Sequence, residues 1–587
     1  MLMKRVFYVL AAMLVVAVAC NKDPKDPENN NQQGNNQEEQ PSGQEEAATL
    51  TLVTDAIVDL ASESGIYTIK FTTNKDWTAA VADAPEGAVV LSAAKGEKGE
   101  NIELKVTYQN VPDGVMGRIF NVSLKAGDKS ADVQFFQGLV FLCNDEEAVL
   151  GVAGGKAEYT ILTNLEYSIK KYDGADQAFP WAPVTVNEES HKVKIAFDVA
   201  ANGAYDSRYA YVKFTIPAIQ DDVIDEETGE PTGETADHVE KFYVFQEGHA
   251  QGLWSVGLPA DFDVANSDEP IHDATASIAF FNGKTLVCDA KKVYAVDPAT
   301  GAFSDFSVPE GLPVQSIAND DAGNLLLANL AGFCEIYDVY AVKANDAALA
   351  SPVRLIHFVN EAWSGSRGID NVAVRGDVFG NGVVSAIYGG VGSYGGLSYT
   401  LYWEIKDGKA AESYYNEWNP VVNNPTSGWF TTPALGDDLW LSNRASFVPA
   451  GPSVSDGFFY GGYDGLYNIY YYDGTQWNVA VPEVGNWAYA PNSFATIDWN
   501  GKKILACVNM AYFPEWGMPS QLWIIDVTNP KDPVVLSAGE YDGPYEVTGA
   551  QDASTTGVIL TVEGNDLCAT VVDSAWGVLF KVKYPKL

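Results

Sequence analysis

The chain has 587 residues, enough for about four domains of roughly 150 residues each. Lys and Arg total 36 against 78 Asp and Glu, a net charge of −42, which excludes a nucleic-acid binder and argues against docking on anionic headgroups. Five histidines leave little for His-based metal or acid–base chemistry, and abundant Gly, Tyr, Phe and Trp favour sheets and turns over helices.

Lys4 and Arg5 precede an apolar run, Val6 to Ala19, that ends in Ala17-Val18-Ala19-Cys20. A basic start, a short apolar stretch and small residues before the cut make a secretory signal, too short to span a bilayer comfortably. The ending resembles a bacterial lipoprotein box, with Ala17 where Leu is usual; the resemblance implies that Cys20 carries lipid and begins the mature chain. Residues 21–47 contain no large apolar residue and form no core. They read as a disordered tether that spans at most about 90 Å. Asn21-Lys22-Asp23-Pro24-Lys25-Asp26 is similar to the export signals of Bacteroidetes surface lipoproteins, which implies the outer face of the outer membrane.

Two copies of a small β-domain follow, over 48–139 and 140–250. Thr73-Asn74 matches Thr163-Asn164, Trp77 matches Tyr167 and Arg118 matches Arg208, all at an offset of 90. The copies close on Phe135-Phe136-Gln137 and Val244-Phe245-Gln246, and the second carries an extra acidic stretch, 219–239. Alternating apolar residues predict β-sandwiches. The early T-x-N-x-x-W, the Arg opening a late strand and the closing Phe-Gln resemble the BACON domain of Bacteroidetes surface proteins, which implies an immunoglobulin-like fold. That family's name points to carbohydrate binding, yet its members often act as spacers. Trp77 is expected in the core, and the two domains are expected to lift the rest of the chain from the membrane.

Residues 251–587 repeat a strand, a Gly-containing turn and a strand, centred on Gly283, Gly323, Gly382, Gly436, Gly501 and Gly557. A second strand–turn–strand follows each, as in VYAVDPATGAFSDF and LWIIDVTNPKDPVVLSAG. Four strands per unit predict a β-propeller, six blades preferred and seven allowed. The last unit supplies three strands, so Leu253-Trp254-Ser255-Val256 is expected to complete it and close the ring.

No catalytic signature occurs: there is no G-x-S-x-G, H-E-x-x-H or Walker A. Gly390-Val-Gly392-Ser-Tyr-Gly395 matches G-x-G-x-x-G but precedes a strand-like segment, so it reads as a glycine-rich loop. Asn319-Asp320-Asp321 and Asp437-Asp438 offer weak Ca²⁺ candidates; turn chemistry explains them as well. Beyond Cys20, the cysteines Cys143, Cys288, Cys334, Cys507 and Cys568 lack a C-x-x-C and read as free thiols.

The aromatics are more informative. Trp403, Trp440, Trp499, Trp523 and Trp576 sit in apolar strand patterns and are assigned to the core. Trp363, Trp418, Trp429, Trp487 and Trp516, with Tyr489 beside Trp487, sit among Gly, Pro, Asn and Ser as in loops. Exposed loop aromatics suit the flat C–H faces of sugar rings; packing between blades is the alternative for about half of them. The sequence therefore points to a non-catalytic surface lipoprotein that captures a glycan beside a TonB-dependent transporter of the outer membrane. Capture of a cofactor or a protein is the alternative, since similar surface propellers include a cobalamin-capturing lipoprotein. A propeller lyase or glycosidase is a third reading.

Overall fold

Strand alternation sets which side chains are buried. In Lys192–Val199, Val193, Ile195, Phe197 and Val199 are buried while Lys194 and Asp198 face solvent. The computed structural model describes residues 46–143, 147–171, 179–224, 231–262, 276–289, 291–331, 336–359, 367–390, 399–410, 427–431, 445–462, 467–486, 488–511, 518–541 and 556–587. Among them the fold is all-β, apart from a short 3-10 turn at Val454–Asp456.

The first sandwich pairs Leu50–Leu52, Gly65–Thr73, Gly99–Tyr108 and Val89–Leu91 in one sheet. Its other sheet holds Ile57–Leu60, Lys129–Gly138, Gly117–Ala126, Trp77–Ala82 and Lys95–Gly96. Trp77 is buried between them, edge-on to Phe71, and its Nε1 donates to Glu97 O at 3.1 Å. The second sandwich repeats the plan. One sheet orders Phe141–Cys143, Gly155–Thr163, Lys192–Val199 and Val184–Glu189; the other orders Ala148–Leu150, Pro231–Gln246, Arg208–Ile224 and Ser168–Lys170.

The repeated sequence motif is a set of clamps. Asn74 accepts from Thr49 N at 2.7 Å and donates to Ala47 O at 2.9 Å, pinning the entering chain. Asn164 does the same to Val140 N and Gly138 O, both at 2.9 Å. Thr73 and Thr163 each accept from the backbone two residues on, at 3.2 and 3.1 Å. Arg118 Nε donates to Gln137 Oε1, and Arg208 Nε to Gln246 Oε1, each at 2.8 Å. The opening Arg and the closing Gln of each copy are therefore partners.

The remaining sheets form a propeller. Among the described residues there are six, each with at least four strands, and each innermost strand contacts the next. Those inner strands are Ser277–Phe281, Ser316–Asn319, Arg367–Gly376, Ala445–Pro449, Tyr489–Trp499 and Thr556–Glu563. Buried side chains tie them together at one level. Ser277 Oγ accepts from Ile317 N at 2.9 Å, Ser316 Oγ from Val372 N at 3.2 Å, Ser446 Oγ from Phe494 N at 3.1 Å, and Asn492 Oδ1 from Thr556 N at 2.9 Å. At the last junction a Cβ on Gly557 would lie 2.7 Å from Ala276 O, so only glycine admits this approach. Gln251–Gly257 pairs with Val578–Tyr584 and completes the sixth blade. Near the axis Arg375 is buried and donates to Asp321 at 2.8 and 3.1 Å, Thr496 at 3.1 Å and Asp498 at 2.8 Å. One guanidinium thus links three blades.

Two hairpins differ from the sequence reading. The first hairpin of the fourth blade is Ala445–Pro449 with Phe458–Gly462, not a turn at Gly436, which lies outside the described residues. Its connection is long and contains the 3-10 turn capped by Ser453, so a search for short glycine turns passes over it. Ser427–Thr431 instead pairs with Tyr399–Lys406 in the third blade. In the sixth blade Gly557 lies within a strand, and the hairpin turns at Gly564, where φ is 66°.

The second sandwich is fastened to the propeller. Tyr205 is buried against Tyr584 and donates to Pro585 O at 2.9 Å. Asp206 accepts from Ser537 Oγ at 2.5 Å and Ala538 N at 3.0 Å.

Candidate functional site on the fifth blade

In the fifth blade the strands Tyr489–Trp499, Lys502–Ala511, Ser520–Asp526 and Val534–Tyr541 pair in order. Register places Pro491, Asn509, Gln521 and Glu540 in one cross-strand row, so their side chains share a face. Tyr489, two residues before Pro491, lies on that face, and so does Trp523, two residues beyond Gln521. Val484 and Gly485 lie against the row, at Asn509 and Pro491.

Hydrogen bonds fix the row. Asn509 is fully buried; its Nδ2 donates to Val484 O at 2.7 Å and to Gln521 Oε1 at 3.0 Å. Trp523 Nε1 donates to the same oxygen at 3.0 Å. Gln521 Oε1 thus takes two donors, which turns its Nε2 away from both. Asn509 Oδ1 has no hydrogen-bond partner among the described residues, a costly state for a buried carbonyl. Burial, and then the Glu540 carboxylate, raise the half-buried Tyr489 hydroxyl above its ordinary pKa. The approach is shaped too: Asn486 accepts from Ala488 N at 2.8 Å, and Gly485 N donates to Tyr467 O at 2.9 Å. An aromatic ring, an oriented amide and a carboxylate are together suited to a neutral polyhydroxyl ligand.

Of the residues singled out from sequence, Tyr489 belongs to this row. Trp363, Trp418, Trp487 and Trp516 lie outside the described residues, as do Cys20, Cys334 and Trp440. Trp429 lies on Ser427–Thr431 opposite Leu401, its side chain outside the described set. Trp403, Trp499 and Trp576 are buried, and Trp523 is partly so. Asp320, the first Ca²⁺ candidate, is spent on its turn. It accepts from Ala322 N, Asn324 N and Asn324 Nδ2, and from Val378 N of the next blade. Burial raises its pKa. Asp321 holds Arg375, and Asp437 and Asp438 lie outside the described residues. Among the described residues no group of three His, Cys, Asp or Glu is placed to hold a metal. Cys507 and Cys568 are buried free thiols; Cys288 is buried with its Sγ donating to Val314 O at 2.7 Å, and Cys143 is half-buried.

Asn509, Gln521 and Glu540 were not picked out from sequence. A lone Asn inside the apolar run KKILACVNMA was a legible signal. The partners at 521 and 540 depend on strand register.

Residues 309–538, under half of the chain, match a family model described as a domain of unknown function, DUF8500. No curated protein matches. Among solved structures, a DUF4623 family protein from Bacteroides eggerthii is 10% identical, with a TM-score of 0.36 over 79% of this chain and 96% of that one. A quinoprotein alcohol dehydrogenase-like protein from Bacteroides thetaiotaomicron is also 10% identical, with a TM-score of 0.23 over 84% of this chain and 96% of that one. A Bacteroides ovatus GH5 xyloglucanase is 17% identical over 18% of this chain and 22% of that one, with a TM-score of 0.14.

Proposed function

We propose that this chain is a lipid-anchored surface protein of the outer membrane, and that its propeller captures a glycan without turning it over. The observation that carries the reading is the fifth-blade row. Tyr489 offers a ring face, Gln521 an amide oriented by Asn509 and Trp523, and Glu540 an exposed carboxylate. Sugar recognition uses this combination: an apolar face for C–H groups and fixed polar groups for hydroxyls. The signal-like start and Cys20 support the anchor, and the BACON-like motifs support two modules between anchor and propeller. Partnership with a TonB-dependent transporter would follow from that address.

The test is a glycan array probed with the full chain, followed by a turnover assay on each hit. Tyr489→Ala and Gln521→Ala should each weaken binding several-fold, since one stacking or hydrogen-bonding contact is worth about 1 kcal/mol. Product release from any hit, or binding unchanged in both variants, would refute the reading.

A further inference from the structure

The outward face of the second sandwich carries an unusual surface. Along Arg208–Ile224 and Pro231–Gln246 the inward residues are Ala210, Val212, Phe214, Phe242 and Val244, all buried. The outward ones are also aromatic. Tyr209 opposes Phe245, and Tyr211 opposes Tyr243. The ring centroids of Tyr209 lie 6.4 Å from Tyr211 and 6.0 Å from both Tyr243 and Phe245. Tyr243 lies 5.6 Å from Phe245 and nearly parallel to it. Tyr209 is 54% exposed, and neighbouring Val149, opposite Phe245, is 60% exposed. Four rings thus form a two-by-two cluster on the outward face, with Tyr209 exposed and Tyr211, Tyr243 and Phe245 half-buried, Tyr211 also 5.8 Å from the Phe179 ring.

The next outward row, about 7 Å along the strands, is Lys170, Lys213 and Lys241, directly opposed across three strands. Lys170 and Lys241 are exposed, and Lys241 Nζ sits 5.4 Å from the Tyr211 ring centroid. Beyond it comes a row with the hydroxyls of Ser168 and Thr215. The chain has only 36 Lys and Arg against 78 acids, yet three lysines meet in this row.

The fold itself does not require this surface. In the first sandwich the counterparts of Tyr211, Lys213, Lys241 and Tyr243 are Asn121, Ser123, Asp132 and Gln134, given the shared Arg and Gln clamps. That face satisfies itself, with Ser123 donating to Asp132 at 2.5 Å and Asn121 to Asp83 at 2.6 Å.

We propose that the second sandwich binds an anionic polysaccharide. Pyranose rings lie against Tyr209 and the edges of Tyr211, Tyr243 and Phe245, and their carboxylates or sulfates meet the exposed Lys170 and Lys241. The ring platform selects a sugar over a bare anion, and the lysine row selects an acidic sugar over a neutral one. This site is separate from the fifth-blade row.

Electrophoresis of the full chain through gels containing polygalacturonate, chondroitin sulfate or neutral dextran tests it. A chain of net charge −42 is repelled by polyanions, so retardation requires a local site. Retardation is expected with at least one acidic polymer and not with dextran, and to fade as salt screens the lysines. Lys170→Gln with Lys241→Gln, and separately Tyr209→Ser, should each weaken it about threefold or more. Their melting temperatures should not change, and Tyr489→Ala should leave the retardation intact. No retardation by either acidic polymer would overturn the proposal, as would equal retardation in the platform variants. Lysine-dependent binding to phosphatidylglycerol–phosphatidylcholine vesicles without polysaccharide binding would overturn it too, assigning the face to a membrane.

Discussion

The two sandwiches share their clamps and differ in what those clamps support. Asn74 and Asn164, Thr73 and Thr163, and the Arg118–Gln137 and Arg208–Gln246 pairs recur with nearly the same geometry. Yet the loop before the conserved Arg carries Val115 and Met116 in the first copy, both exposed, and Tyr205 and Asp206 in the second, which hold the propeller. On the outer sheet, Asn121, Ser123, Asp132 and Gln134 of the first copy stand where the second has Tyr211, Lys213, Lys241 and Tyr243. The comparison teaches that the repeated residues specify the scaffold, and that function is sought in what is not repeated.

The largest effect should come from the cores. Trp77→Ala should cost the first sandwich about 3 to 5 kcal/mol by urea unfolding. Tyr167→Ala should cost the second much less, because Tyr167 is only half-buried. Equal losses would break the comparison at its root.

Gln137→Ala and Gln246→Ala should each cost about 1 to 3 kcal/mol, since each strips a guanidinium of a shielded partner. If only one copy suffers, the clamp is not shared. Asp206→Ala should cost about 1 kcal/mol of the second unit's stability by loss of the Ser537 and Ala538 bonds. Met116→Ala, at the corresponding position, should do nothing measurable in the same thermal melt.

A smaller effect is alkaline. Burial, then the hydrogen bond to Glu188, push the Tyr167 hydroxyl up to about 12, whereas Trp77 in the first copy does not titrate. The folded pKa is raised, so this contribution is complete below about pH 10 and is lost as pH rises toward 12. Tyr167→Phe should flatten stability against pH in that window, and only modestly, because solvent screens a partly exposed group. Smallest of all, Tyr209→Ser and Lys241→Gln should change stability by less than about 0.5 kcal/mol. A larger loss would make the platform a structural element.

Much of the fold was legible because it repeats. An offset of 90 exposed the clamp residues before their bonds were known, and the strand–turn–strand period exposed the propeller. The reading failed at Gly557, which lies within a strand, and passed over the first hairpin of the fourth blade, whose long capped connection is not a short glycine turn. On the fifth-blade face Tyr489 was picked out from the sequence, and Asn509 was legible as a lone polar residue in an apolar strand.

The sequence by itself determined the all-β class, the duplicated clamps and the closing of the ring by the strand at Trp254, because each follows from local alternation or repetition. Only the tertiary structure decided the two surfaces on which function is argued. Tyr209–Ala210–Tyr211–Val212 is apolar at every position, so alternation cannot say which side faces water. Packing decided it by burying Ala210 and Val212 against the opposite sheet. Asn509, Gln521 and Glu540 come from three successive strands, and Lys170 lies 71 residues from Lys241. Strand register set them side by side, and register is a property of the folded sheet rather than of any one segment.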